Sequence, residues 1–152
     1  LLAVYVLVGK ISAAELLSER LVQIDPLDFL THFLQVFPLL YSGQLDRAVP
    51  LAHKLYEMHP EVPYSTLSYA MALINSGDHE AACSVIDQNA ERNPDNALTN
   101  VSLVLKHAVK QDRDAAHEVM TPDFIKTSQR DCTFAHQLAA TPTLSLSVVT
   151  IA

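Results

Sequence analysis

Residues 43–60 read GQLDRAVPLAHKLYEMHP, and three residues of this stretch, Gly43, Ala48 and Pro60, recur on either side of it at one interval. The chain has only three glycines, Gly9, Gly43 and Gly77, so both gaps (43 − 9 and 77 − 43) equal 34 residues. Ala14, Ala48, Ala82 and Ala116 keep the same spacing, as do Pro26, Pro60 and Pro94. A period of about 34 belongs to a repeated unit of two antiparallel helices.

Each of the three residue types has a task in such a unit. The glycine can take the left-handed backbone that ends one helix and turns the chain into the next. The alanine stands where the paired helices come closest, and a larger side chain there forces them apart. The proline has no N–H and clashes with the carbonyl a turn behind, so it ends the second helix, while its fixed φ suits the start of another.

Between these marks the apolar residues fall at helical spacing. ISAAELLSERLVQI after Gly9 places Ala14, Leu17, Leu21 and Ile24 on one stripe. Asp28 is in position to cap a helix from Phe29 to Tyr41, which is apolar nearly all round and must be covered on more than one side. Pro38 and Pro50 interrupt the two helices of this unit, each at a cost of ~3 kcal/mol or more unless the helix kinks. A groove bent for function and neutral drift are the two readings. Further on, the pattern predicts helices over 63–76, 79–92, 97–110 and 112–120, with Thr121-Pro122-Asp123 opening another.

Gly43, Ala48 and Pro60 together resemble the tetratricopeptide repeat (TPR). The resemblance covers roughly residues 1 to 120 and implies an all-α fold: a right-handed superhelical solenoid of antiparallel helix pairs, with about three to four units. The units run at about 1–26, 27–60, 61–94 and 95–120, with an extra helix over 121–140 and an irregular tail over 141–152. The sequence departs from the family where it usually carries a large aromatic, since His32, Thr66 and Asn100 stand there. Gln111 replaces the turn glycine in the last unit, where looser packing is expected.

Composition narrows the function. The chain has 152 residues, 49% hydrophobic and 18% charged, which suits one folded domain. It opens on LLAVYVLV with no initiating Met, which reads as the tail of a truncated repeat helix in a fragment of a larger protein. That run is far short of the ~20 residues that span a bilayer, and neither a basic region nor a cleavage site flanks it as in a signal peptide. Two cysteines without a CxxC fit a reducing, cytoplasmic setting. The Asn100-Val101-Ser102 triplet lies inside a predicted helix and is set aside as a glycosylation signal. Ten Lys and Arg against seventeen acids leave a net charge of −7, which argues against a nucleic-acid partner. Lys106, Lys110 and Arg113 are interleaved with Asp112, Asp114 and Glu118, as on a salt-laced helix surface.

Chemistry is not visible. No HxxxH or HExxH pair occurs among the seven histidines, no serine sits in a GxSxG elbow, and three glycines cannot build a phosphate loop. Neither an enzyme, a metal site nor a cofactor is expected. What the resemblance does imply is a protein or peptide partner held on the concave face by the first helices. The partner-binding residues are then Phe33, Phe37, Leu40, Tyr64, Leu67, Met71, Leu98 and Val101, beside Leu30, Ile74 and Leu105. Such a face is almost wholly apolar, which suits an apolar peptide or partner helix and leaves no polar residues for a carboxylate clamp. Phe37 and Met71 are expected to be the most exposed. The competing view is that this stripe is core, because apolar residues at helical spacing are first a packing signal. IDPLDFLTHF and TPDFIKTSQRD also resemble repeats in signalling chains that carry a kinase, cyclase or DNA-binding domain. They imply the alternative of a regulatory or spacer segment.

Overall fold

The computed structural model describes residues 2–130. The expected continuation of the last helix to residue 140 and the irregular tail after it lie outside the described residues.

Helices α1 (Leu2–Leu7), α2 (Ile11–Ile24), α3 (Phe29–Tyr41), α4 (Leu45–Met58), α5 (Pro63–Ser76), α6 (His79–Arg92), α7 (Ala97–Val109), α8 (Arg113–Val119) and α9 (Pro122–Arg130) follow one another. There is no strand among the described residues. From α1 to α8 each helix packs chiefly on its neighbours in sequence, α9 packs on α7, and the first helices of successive pairs also pack on one another, α3 on α5 and α5 on α7. Two layers result, α1, α3, α5 and α7 in one and α2, α4, α6 and α8 in the other.

The periodic residues make the turns. Gly9, Gly43 and Gly77 have φ of 73°, 74° and 87°. At each, two amides close the end of the preceding helix: Gly43 N–H donates to the Leu40 carbonyl at 3.1 Å and Gln44 N–H to Leu39 at 2.9 Å. A Cβ added at Gly43 or Gly77 meets nothing within 4 Å, so the backbone conformation alone selects glycine. Gln111 occupies the equivalent turn at φ 58° and makes the same pair of bonds, to Ala108 and, through Asp112, to His107.

The prolines act through the residue before them. Asp25, His59 and Asn93 lie at φ of −137°, −138° and −132°, out of the helical well, because a following proline ring clashes with helical backbone. After Pro26 and Pro94 the next helix is capped by Asp28, which accepts from the Thr31 amide at 2.7 Å, and by Asn96, which accepts from Leu98 at 2.9 Å; after the left-handed turns at Gly77 and Gln111, Asp78 accepts from Ala81 at 3.2 Å and Asp112 from Ala115 at 3.1 Å. Thr121 caps α9 through the Phe124 amide at 3.2 Å.

Ala14, Ala48, Ala82 and Ala116 are buried, and they close the gap between the paired helices. One apolar cluster joins Val36, Leu39 and Leu40 of α3 to Ala48, Ala52 and Leu55 of α4 and Ala72 of α5. Another gathers Leu67, Leu98, Val101, Val104 and Leu105 with Ala116 and with Phe124 of α9. The last pair is therefore short in α8 but keeps a buried core. Helices α3 and α4 run through Pro38, which is buried, and Pro50, which is exposed.

Polar bonds between successive units line the outside. Arg47 of α4 pairs with Glu15 of α2 at 3.0 Å. Tyr56 Oη donates to Gln88 Oε1 at 3.2 Å, and Asn93 Nδ2 donates to the Glu61 carbonyl at 3.2 Å. Lys106 of α7 pairs with Asp87 of α6.

Candidate functional site

Helix α3 carries an aromatic run because its apolar residues continue round the helix instead of keeping to one stripe. Phe29 and Phe33 stack with ring centres 6.1 Å apart, and Phe33 meets Phe37 edge to face at 4.9 Å. Tyr64, placed by Pro63 in the first turn of α5, meets Phe33 at 4.9 Å. Edge-to-face contacts at these distances are favourable beyond the area they bury. The rings tie α3 to α5 and form the seam of the first-helix layer.

The eight residues expected to bind a partner separate on burial. Phe33, Phe37, Leu40, Leu67, Leu98 and Val101 are buried, Met71 is half-buried between the two clusters, and Tyr64 is 39% exposed. The expected exposure of Phe37 is corrected: it is 8% exposed, with Phe33 packed edge to face on it. Met71 likewise spends part of its surface on both clusters. Leu67, Leu98 and Val101 share their cluster with Phe124, so α9 takes part in covering this side of α7. Among the large apolar side chains of α3 and α5, Leu30 at 54%, Tyr64 and Tyr41 stay open.

Sequence reasoning missed a second apolar surface at the joint between units. Ile24, expected on the apolar stripe of α2, is 79% exposed at the last residue of that helix. Leu27 is 93% exposed in the following turn and Met58 59% exposed at the end of α4. The signal was present as apolar residues at places where a turn is usually polar.

The ionisable groups are held in small local arrangements. Hydrogen bonds from the Thr31 hydroxyl and amide hold the Asp28 carboxyl below its ordinary pKa. Burial, then the nearby carboxylates of Asp78 and Glu57, pushes the Tyr69 phenol up. His53 stands 3.7 Å from Glu57 and His59 3.9 Å from Glu61. Among the described residues no group of three or more His, Cys, Asp and Glu side chains is placed to hold a metal ion. No described helix is long and apolar enough to cross a membrane.

No protein-family model matches the sequence, and no curated protein matches it. Among solved structures the chain is similar to a thermophilic TPR protein of Thermus thermophilus, with a TM-score of 0.68 at 19% identity. The likeness covers 95% of this chain and 88% of that one. Spatial likeness over nearly the whole length, together with the glycine, alanine and proline punctuation, identifies the fold: the chain is a TPR-like solenoid of helix pairs.

Proposed function

We propose that the chain is a non-catalytic protein-interaction module that takes an apolar peptide or partner helix on its first-helix layer. The fold suggests a protein-interaction module in general, since stacked helix pairs present an extended surface made of many units. The finer reading rests on one observation, the aromatic seam of Phe29, Phe33, Phe37 and Tyr64 that reaches the surface at Tyr64, with Leu30 exposed on the same helix α3. Rigid rings bury large area at little entropic cost, and a buried row behind two open side chains is a firm base for an apolar partner. Phe33, Phe37 and Leu40 support that surface from below, and Met71 extends it toward α7.

The alternative, a regulatory or spacer segment of a larger signalling protein, is favoured by the packing of Phe124 onto Leu67, Leu98 and Val101. There the first-helix layer is occupied by the chain itself.

Panning the chain against a random peptide library separates the two. The companion variant is Leu30→Glu, Tyr64→Glu, at the most open large apolar positions of α3 and α5; because Tyr64 also packs on Phe33, circular dichroism checks that the variant is folded. Enrichment of an apolar motif that the variant loses supports the binding surface. Equal selection by both proteins, or none, replaces it with the spacer reading.

A further inference from the structure

Ile24 and Met58 end the second helices of successive pairs, one repeat apart (58 − 24 = 34), and both are exposed. The same place in the following pair holds Arg92, the last residue of α6. Leu27 is exposed in the turn after Ile24, whereas its counterparts one and two repeats on are Glu61 and Asp95. The repeat therefore does not require apolar residues along this edge, and the first two joints alone carry them. Exposed apolar side chains gathered in this way mark an interaction site.

Leu27 and Met58 also wall one cleft of about 160 Å³, together with Phe29, Leu51 and Leu55. An apolar cavity of about 150 Å³ accepts a benzene ring, so the cleft has room for one large apolar side chain. Lys54, His32 and His59 lie in the same lining. His32 gives its Nε2–H to the Pro26 carbonyl at 2.7 Å, and His59 Nδ1 stands 3.9 Å from Glu61.

Carboxylates adjoin this lining in sequence. Asp25 accepts from the Leu27 amide at 3.3 Å, Asp28 accepts from Thr31, Glu57 precedes Met58, and Glu61 reaches His59. None of the four pairs with a lysine or arginine among the described residues. Residues 24–32 and 54–61 together hold one lysine and four acids, a net charge of −3 (1 − 4) with histidine neutral. A cation inside the cleft would meet Lys54, so basic groups belong at the rim and an apolar group within.

We propose that this edge docks a basic segment of a partner protein, whose one large apolar side chain enters between Leu27 and Met58 while lysine or arginine on either side meets Asp25, Glu57 and Glu61. The proposal does not depend on the first-helix layer being open, since Ile24, Leu27 and Met58 lie at the joints between units.

The test is a fluorescence-anisotropy titration of the full chain with a labelled, C-terminally amidated Gly-Lys-Phe-Lys-Gly peptide. Saturable binding that weakens with salt is expected, with affinity about tenfold lower in Leu27→Ser, Met58→Ser, as for loss of an anchoring pocket. Asp25→Asn, Glu57→Gln, Glu61→Gln lowers it about threefold or more and flattens the salt dependence, as for exposed charge pairs. Lys54→Gln raises it. All these positions are exposed, and circular dichroism checks that the variants are folded. Absence of saturable binding overturns the proposal, as does undiminished affinity in Leu27→Ser, Met58→Ser or equal affinity for the peptide with Glu in place of Lys. Loss confined to Leu30→Glu, Tyr64→Glu also overturns it and places the peptide on the first-helix layer instead.

Discussion

Gln111 follows Gly77 by one repeat (111 − 77 = 34) and holds the same left-handed backbone, at φ 58° against 87°. A residue with a β-carbon pays about 1 kcal/mol or more for that conformation, which glycine takes freely. Gln111→Gly is therefore expected to stabilise the chain by about 1 kcal/mol, less a few tenths for the added freedom of the unfolded state. Gly43→Ala is expected to destabilise by a similar amount. Urea unfolding of both variants checks the signs. A destabilised Gln111→Gly would mean that the glutamine side chain holds the turn by contacts of its own.

The alanines at the helix crossings have no room to grow. Ala48 is fully buried among Val36, Leu39, Leu40, Ala52 and Leu55. Ala48→Leu is expected to cost about 1–3 kcal/mol by overpacking, and Ala82→Leu the same in the next unit. Thermal melts report the loss, and an unchanged midpoint for both variants would show that the pairs can spread without penalty.

Two buried threonines should respond oppositely to loss of the hydroxyl. Thr66 Oγ1 is buried without a hydrogen bond, whereas Thr99 Oγ1 accepts from Asn89 Nδ2 at 2.9 Å. Thr66→Val is expected to stabilise by about 1 kcal/mol, because an unpaired buried hydroxyl costs its desolvation. Thr99→Val is expected to destabilise by about 1–3 kcal/mol, leaving the Asn89 amide short of a partner. Matching effects in denaturant titrations would contradict this assignment.

Acid should act at the start of α3. The folded Asp28 carboxyl lies below its ordinary value because the Thr31 hydroxyl and amide donate to the charged form. The unfolded carboxyl protonates first as the pH falls, so the cap contributes fully above the ordinary carboxylate pKa of about 3.9 and is lost below it. The gap in Tm between wild type and Asp28→Ala should be constant from about pH 5 to 8 and narrow below about pH 4. A gap independent of pH would show that the aspartate acts through its shape and not its charge.

Much of the fold was readable because its marks are local. Gly43 sets a backbone sign, Pro60 forces the residue before it out of the helix, and Asp28 caps within one turn, so each acts on neighbours in sequence. The candidate surface was less readable, since exposure is decided by what packs from elsewhere. Phe37 and Tyr64 lie on one layer in the sequence pattern and both pack edge to face on Phe33, yet the first is buried while the second stays open.

Because each helix leans mainly on its sequence neighbours and on its counterpart in the adjoining unit, an alteration is felt next door and fades beyond. Gly43 and Gln111 are separated by a whole unit, so their substitutions should sum to within about 0.3–0.5 kcal/mol. A chain wired in this way can diverge one segment at a time, acquiring a new contact at one joint while the remaining joints keep its shape.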